Sequence, residues 1–151
     1  MKFRGFGFRY ALRGIAHAVM CERNFRVHIV AVCTVVYFAT IFGVTKTQWA
    51  ILVLIMAAVM AAELVNTAVE ATVDKVSPEK CVLARIAKDC AAGSVFVLAV
   101  GAVVIAVFLF SDKDGWSRVL EYIKGNYIYL IVFALLSGIF VFAKTKDKEL
   151  D

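Results

Sequence analysis

Four long apolar runs divide the chain: Val27–Val44, Trp49–Val69, Ala91–Phe110 and Tyr127–Ala143. Each is close to the ~20 residues that a helix needs to cross a ~30 Å hydrocarbon core. The last run is the shortest, at 17 residues. Trp49, Tyr127 and Tyr129 stand at run ends, where amphipathic rings favour the membrane–water interface. Ahead of the runs, Phe8, Leu12, Ile15 and Val19 recur at spacings of 4, 3 and 4. That is a helical stripe, with Arg9 and Arg13 one turn apart on another face. The pattern predicts an all-α integral membrane protein. A surface helix over 3–25 precedes core spans over 27–44, 49–69 and 91–110, and a fourth span over 127–143 follows an outer loop.

Composition agrees. Of 151 residues, 62% are hydrophobic and 19% charged, more apolar surface than a soluble domain of this size can bury. The first 26 residues are basic and amphipathic and lack an apolar core with a small-residue cleavage site, so no cleavable signal peptide is expected. Cys21, Cys33, Cys81 and Cys90 form no CxxC pair and suggest neither a disulfide framework nor a zinc site; they read as small packing residues.

Charge sets an orientation. The first 26 residues carry six Lys and Arg, the 71–90 connection four and the tail after Ala143 three, against one and three in the other two connections. By the positive-inside rule both termini and the middle connection are expected in the cytoplasm. The net charge of +5 is concentrated at the amino-terminal end and suits an anionic inner leaflet. No folded basic reading module is present, so nucleic acid is not an expected partner.

The candidate chemistry lies in "AAELVNTAVEATVD". At about 100° per residue from Glu63, Asn66 falls near about −60°, Thr67 about +40°, Glu70 about −20° and Asp74 about +20°. All share one stripe that runs from inside the membrane to its edge. Acids are ordinary at an interface, which would excuse Glu70 and Asp74. Glu63 lies about 10 Å deeper than Glu70 along the axis, and an ionisable residue at that depth is a functional hypothesis by default. Asn66 alone would read as helix-packing glue. Two glycine-containing segments are decoys: "GVTKT" lacks the first glycine of a phosphate loop, with Phe38 in its place, and "GFGFRY" lacks the third glycine and a preceding strand.

Three segments, "ERNFRVH", "AAELVNTAVEATVD" and "IAKDCAAGSVF", resemble the signature segments of the prokaryotic diacylglycerol kinase family, which includes undecaprenol kinases. The resemblance covers roughly residues 6–110; the ExxNTAxExxxD string followed by AKDxAAG is its specific part. The fourth run departs from the usual three-span plan, which makes 1–110 a lipid kinase core and 111–151 an addition without assigned chemistry.

The resemblance implies a homotrimer in the bacterial cell membrane with active sites shared between subunits on the cytoplasmic side. It implies transfer of the γ-phosphoryl group of ATP to a lipid hydroxyl, with Mg2+ as cofactor. Glu63 then fits the general base toward the lipid alcohol, and Asn66 an orienting group. Glu70 and Glu22 fit magnesium ligands, since two carboxylates and the ATP phosphates form a set that magnesium favours. Lys88 fits a phosphate-neutralising cation, with Asp89 and Asp74 beside it in a polar network. Tyr10 matches a nucleotide-contacting tyrosine, although an interfacial anchor explains it equally, and Glu79 is a further nucleotide-side candidate. The acceptor is undecaprenol or diacylglycerol, and "ERNFRVH" is more like the branch that uses undecaprenol. From another class, a small four-helix ion-coupled transporter would use Glu63 to bind a proton or cation, but leaves the charged groups at one edge unexplained.

Overall fold

A computed structural model of the chain describes residues 7–77 and 81–143, and these form five helices: α1 (Gly7–Cys21), α2 (Arg23–Phe42), α3 (Lys46–Val76), α4 (Val82–Leu109) and α5 (Lys113–Phe142). The last four are long and apolar enough to cross a membrane. The chain is an all-α integral membrane protein.

Each junction has a local cause. α1 and α2 are separated by Glu22 alone, whose extended backbone (φ −109°, ψ 114°) breaks the helix. α2 stops where Gly43 adopts a left-handed conformation (φ 80°) and returns its N–H to the carbonyl of Ala39, a termination that glycine makes without steric cost. α3 starts in a capping box: the Thr45 hydroxyl accepts from the Gln48 N–H, while the Thr45 N–H donates to Gln48 Oε1 at 2.7 Å. The "GVTKT" decoy is therefore a helix–helix turn. α5 is capped by Asp112, whose carboxylate accepts from the Gly115 N–H at 2.9 Å.

Among the described residues, α3 packs against α4, and α2 against both α3 and α5; α1 straddles α2 and α3. The order in space is thus α4–α3–α2–α5, with α4 and α5 not touching. α1 seats itself through the fully buried Ala18. Its predicted stripe is not packed: Phe8, Leu12 and Ile15 are exposed, as suits a helix that turns its apolar face into the bilayer surface.

Two boundaries differ from the sequence expectation. α3 and α4 extend well past their apolar runs, so Asp74, Lys88 and Asp89 ride on continuous helix rather than on a connection. The expected outer loop at 111–126 is helical from Lys113 onward and joins the fourth span through a kink at Asn126 (φ −131°, ψ 18°), whose side chain donates to the carbonyl of Tyr122 at 3.0 Å. Its balanced charges suggested a loop, but Trp116, Val119, Leu120 and Ile123 follow a 3.6-residue period.

α5 is locked to the end of α2. A Cβ at Gly115 would fall inside the Phe42 ring, so only glycine permits this approach. The Arg118 guanidinium donates from Nε (3.0 Å) and Nη2 (2.5 Å) to the Phe42 carbonyl, one of the acceptors a helix end leaves over. Phe42 also meets Phe110 and Trp116 edge-on, and lower down Tyr37 stacks on Phe133.

Candidate active site

The polar stripe of α3 is real and graded. Glu63 and Asn66 are buried, at 3% and 5% exposure, Glu70 is half-buried and Asp74 exposed. Asn66 Nδ2 donates to Glu70 Oε1 at 3.0 Å, which fixes the amide one turn from both acids. Its carbonyl Oδ1 stays buried without a hydrogen-bond partner. A buried orphan acceptor costs about 1–3 kcal/mol, and such a group marks a place where a donor from elsewhere is received.

Glu63 faces the charges of Glu70 and Glu22. Three carboxylates from two segments thus look toward one region. Neither ion pair among the described residues includes Glu63 or Glu70. Converging negative charge on Glu63 and Glu70, with Glu22 nearby, is chemistry that fits a bound cation. No cluster of three acidic, His or Cys side chains forms a ready-made metal cage among the described residues. The arrangement fits a cation that shares its ligands with a substrate, as magnesium does with nucleotide phosphates. Glu22 is at the α1–α2 break, and its side chain does not cap α2, so the carboxylate is not committed to holding the helix end.

At the edge of the α3–α4 pair, Lys88 Nζ bonds Asp74 Oδ1 at 2.5 Å. Both side chains are substantially open, at 35% and 60% exposure, so the pair is an adjustable surface contact rather than a buried strut. The structure brings Lys88 and Asp74 together as expected. Asp89, the next residue round α4, is exposed and does not join them. Tyr10 is 59% exposed on α1. Glu79 lies outside the described residues.

Two features escaped the sequence reading. A cavity of about 470 Å³ opens between α1 and α3, lined by small or apolar residues such as Ala11, Gly14, Ile15 and Leu64, with Thr67 of the stripe in its wall. The spacing of Ala11, Gly14 and Ala18 against Leu64, Ala68 and Ala71 was its only signal. The second is Arg26, 4% exposed and with its Nε lacking a partner, four residues from Glu22. It was counted as a surface charge because it precedes the first apolar run. Outside the spans, the thiol of Cys81 at the start of α4 is pushed below its ordinary pKa by the N–H groups of Ala84 and Leu83.

Comparison with known proteins identifies the family. The family model for prokaryotic diacylglycerol kinase matches residues 9–110. An undecaprenol kinase of Bacillus subtilis (strain 168) is 38% identical over 106 residues, covering 70% of this chain and 86% of that enzyme. A diacylglycerol kinase of Synechocystis sp. is 41% identical over 99 residues, covering 65% of this chain and 57% of that one. A diacylglycerol kinase of Haemophilus influenzae is 34% identical over 89 residues, covering 59% of this chain and 75% of that one. No solved structure matches. The matched residues contain the whole α3 stripe and end where α5 begins.

Proposed function

The chain belongs to the prokaryotic diacylglycerol kinase family and is a bacterial membrane lipid kinase, and from that premise we propose that it moves the γ-phosphoryl group of ATP onto the primary hydroxyl of undecaprenol, with diacylglycerol as the competing acceptor. The observation that carries the reading is the buried Glu63–Asn66 pair, tied to Glu70 on one face of α3. The lipid hydroxyl donates to the Glu63 carboxylate, and Asn66, fixed by its Nδ2 bond to Glu70, orients that base. Its oxygen then attacks the γ-phosphorus, the bond from that phosphorus to the β-bridging oxygen breaks, and ADP leaves. The hydroxyl proton passes to the Glu63 carboxylate.

Glu70 and Glu22 would hold magnesium, which when bound offsets phosphate charge and aligns the transferred group. Lys88 is a cation at the same edge that can turn from Asp74 to a phosphate, with Asp89 and Tyr10 on the nucleotide's approach. The apolar cavity between α1 and α3 suits the hydrocarbon tail, because its wall includes Leu64 and Thr67, close along α3 to the buried acid. The charge distribution supports cytoplasmic termini and a cytoplasmic site. The exposed apolar faces of α4 support a homotrimer in which neighbouring subunits complete the site. The lean to undecaprenol rests on "ERNFRVH" and on the Bacillus relative. The relatives lend no support to an ion-coupled transporter.

The test is transfer of radiolabelled γ-phosphate from ATP to each lipid in mixed micelles, with and without magnesium. Faster label in undecaprenyl phosphate supports the reading. Faster label in phosphatidic acid keeps the reaction and reverses the acceptor. ATP hydrolysis that ignores added lipid alcohol overturns it.

A further inference from the structure

The start of α2 and the end of α5 enclose a groove of about 470 Å³, lined by Cys21, Glu22, Arg23 and Arg26 on one side and Val141, Phe142 and Ala143 on the other. Its two walls differ in chemistry. One carries two guanidinium groups and a carboxylate; the other is apolar and belongs to the helix that lies beyond the family match. The groove lies where one span begins and another ends, the depth of lipid headgroups.

Arg26 is the unusual member. It is 4% exposed, forms no ion pair among the described residues and leaves Nε without a partner. A buried guanidinium with an unused N–H can take a further acceptor, and an anion that arrives from outside would supply one. Planar guanidinium groups suit phosphate, like carboxylate, because they bond two of its oxygens at once, and phosphate is the anion that lipid headgroups bring to this depth. The apolar facing wall suits an anion attached to a hydrocarbon, and basic hollows between membrane helices are a known form of headgroup site.

We propose that this groove binds the phosphate group of a phosphorylated lipid, with Arg26 as its principal ligand, Arg23 at the mouth and the end of α5 as the wall against its tail. The assignment deepens the kinase reading, on which it rests for the supply of such a lipid: phosphorylated lipid is what the reaction releases, and the groove gives it a place outside the Glu63 site. Glu22 faces the same groove and opposes the anion, so the phosphate binds better when that carboxylate is neutralised by a cation or by substitution.

Cys21 provides a readout that needs no turnover. In a chain with Cys33→Ser, Cys81→Ser and Cys90→Ser, without ATP or magnesium, the rate of Cys21 alkylation by a maleimide is followed against short-chain phosphatidic acid, diacylglycerol and inorganic phosphate. Phosphatidic acid is expected to slow labelling at least about fivefold and diacylglycerol not at all. Arg26→Gln is expected to weaken the protecting lipid about tenfold or more, the scale of a lost charge-assisted contact, and Glu22→Gln to strengthen it. Val141→Trp, which fills the groove without touching Arg26, should abolish protection and keeps the proposal testable if Arg26→Gln does not fold. Equal protection by diacylglycerol, or protection indifferent to both Arg26→Gln and Val141→Trp, would overturn it. Protection by inorganic phosphate as strong as by the lipid would overturn the lipid assignment in favour of a free anion. Normal protection in a chain whose Glu22→Gln variant keeps full magnesium dependence would support this site and count against the metal role of Glu22 alone.

Discussion

The two antiparallel pairs α3–α4 and α2–α5 are built on opposite principles. The first is held loosely at its charged end, where Lys88 and Asp74 meet largely in the open, and α4 exposes many aliphatic residues, with α3 its only helical neighbour among the described residues. The second is closed by a glycine under an aromatic ring, an arginine on a carbonyl and a ladder of aromatic contacts. On the proposed reading, the pair that would admit a nucleotide and a metal keeps adjustable contacts. The junction that holds α5 to the end of α2 takes a fit that one methyl group would spoil.

The comparison breaks most visibly at Glu63. Glu63→Gln should lower turnover by about 10²- to 10⁴-fold, the range of a lost general base, while the protein extracts and sizes normally. Label transfer at near wild-type rate would remove Glu63 from the chemistry. Gly115→Ala is its counterpart on the other pair: forcing a methyl group into a packed ring should cost about 1–3 kcal/mol of stability. A thermal-shift assay in detergent reads this, with turnover per folded molecule largely kept; unchanged stability would mean the clasp is not a fixed contact.

The metal proposal sharpens the polar pair. Glu22→Ala and Glu70→Ala should each weaken magnesium–ATP binding, with a coupling of about 0.5–3 kcal/mol in a double-mutant cycle; additive effects would mean that they share no ion. The smallest effect is expected for Asp74→Asn. The pair it breaks is exposed enough for stability to fall by less than about 1 kcal/mol. A larger fall would show that the edge of α3–α4 is clamped as firmly as α2–α5.

The polar pair was legible because membranes make charge conspicuous. Glu63 stood out on cost alone, and the angular spacing of Asn66, Glu70 and Asp74 carried over unchanged to α3. The aromatic pair was not legible. Phe42 looks like any apolar residue near a run end, and Gly115 like a loop glycine after "SDKD". Their meaning depends on a contact between distant parts of the chain, which no local period encodes. Arg26 was hidden differently: an arginine at the start of a span is ordinary, and neither its burial nor the end of α5 across the groove from it is encoded in any local period.

Arg118 and the carbonyl that it grips are 76 residues apart, and this has a consequence for how the molecule is made. At a synthesis rate of about 5–20 residues per second, the clasp cannot close until on the order of 4–15 s after Phe42 leaves the ribosome. In the later part of that interval, once α3 has been made, α2 and α3 can already be paired, while the flank of α2 that will receive α5 has only lipid against it. Helix α5 therefore acts as a latch set on an assembled core, and the order of synthesis leaves that flank open to another chain until the latch arrives.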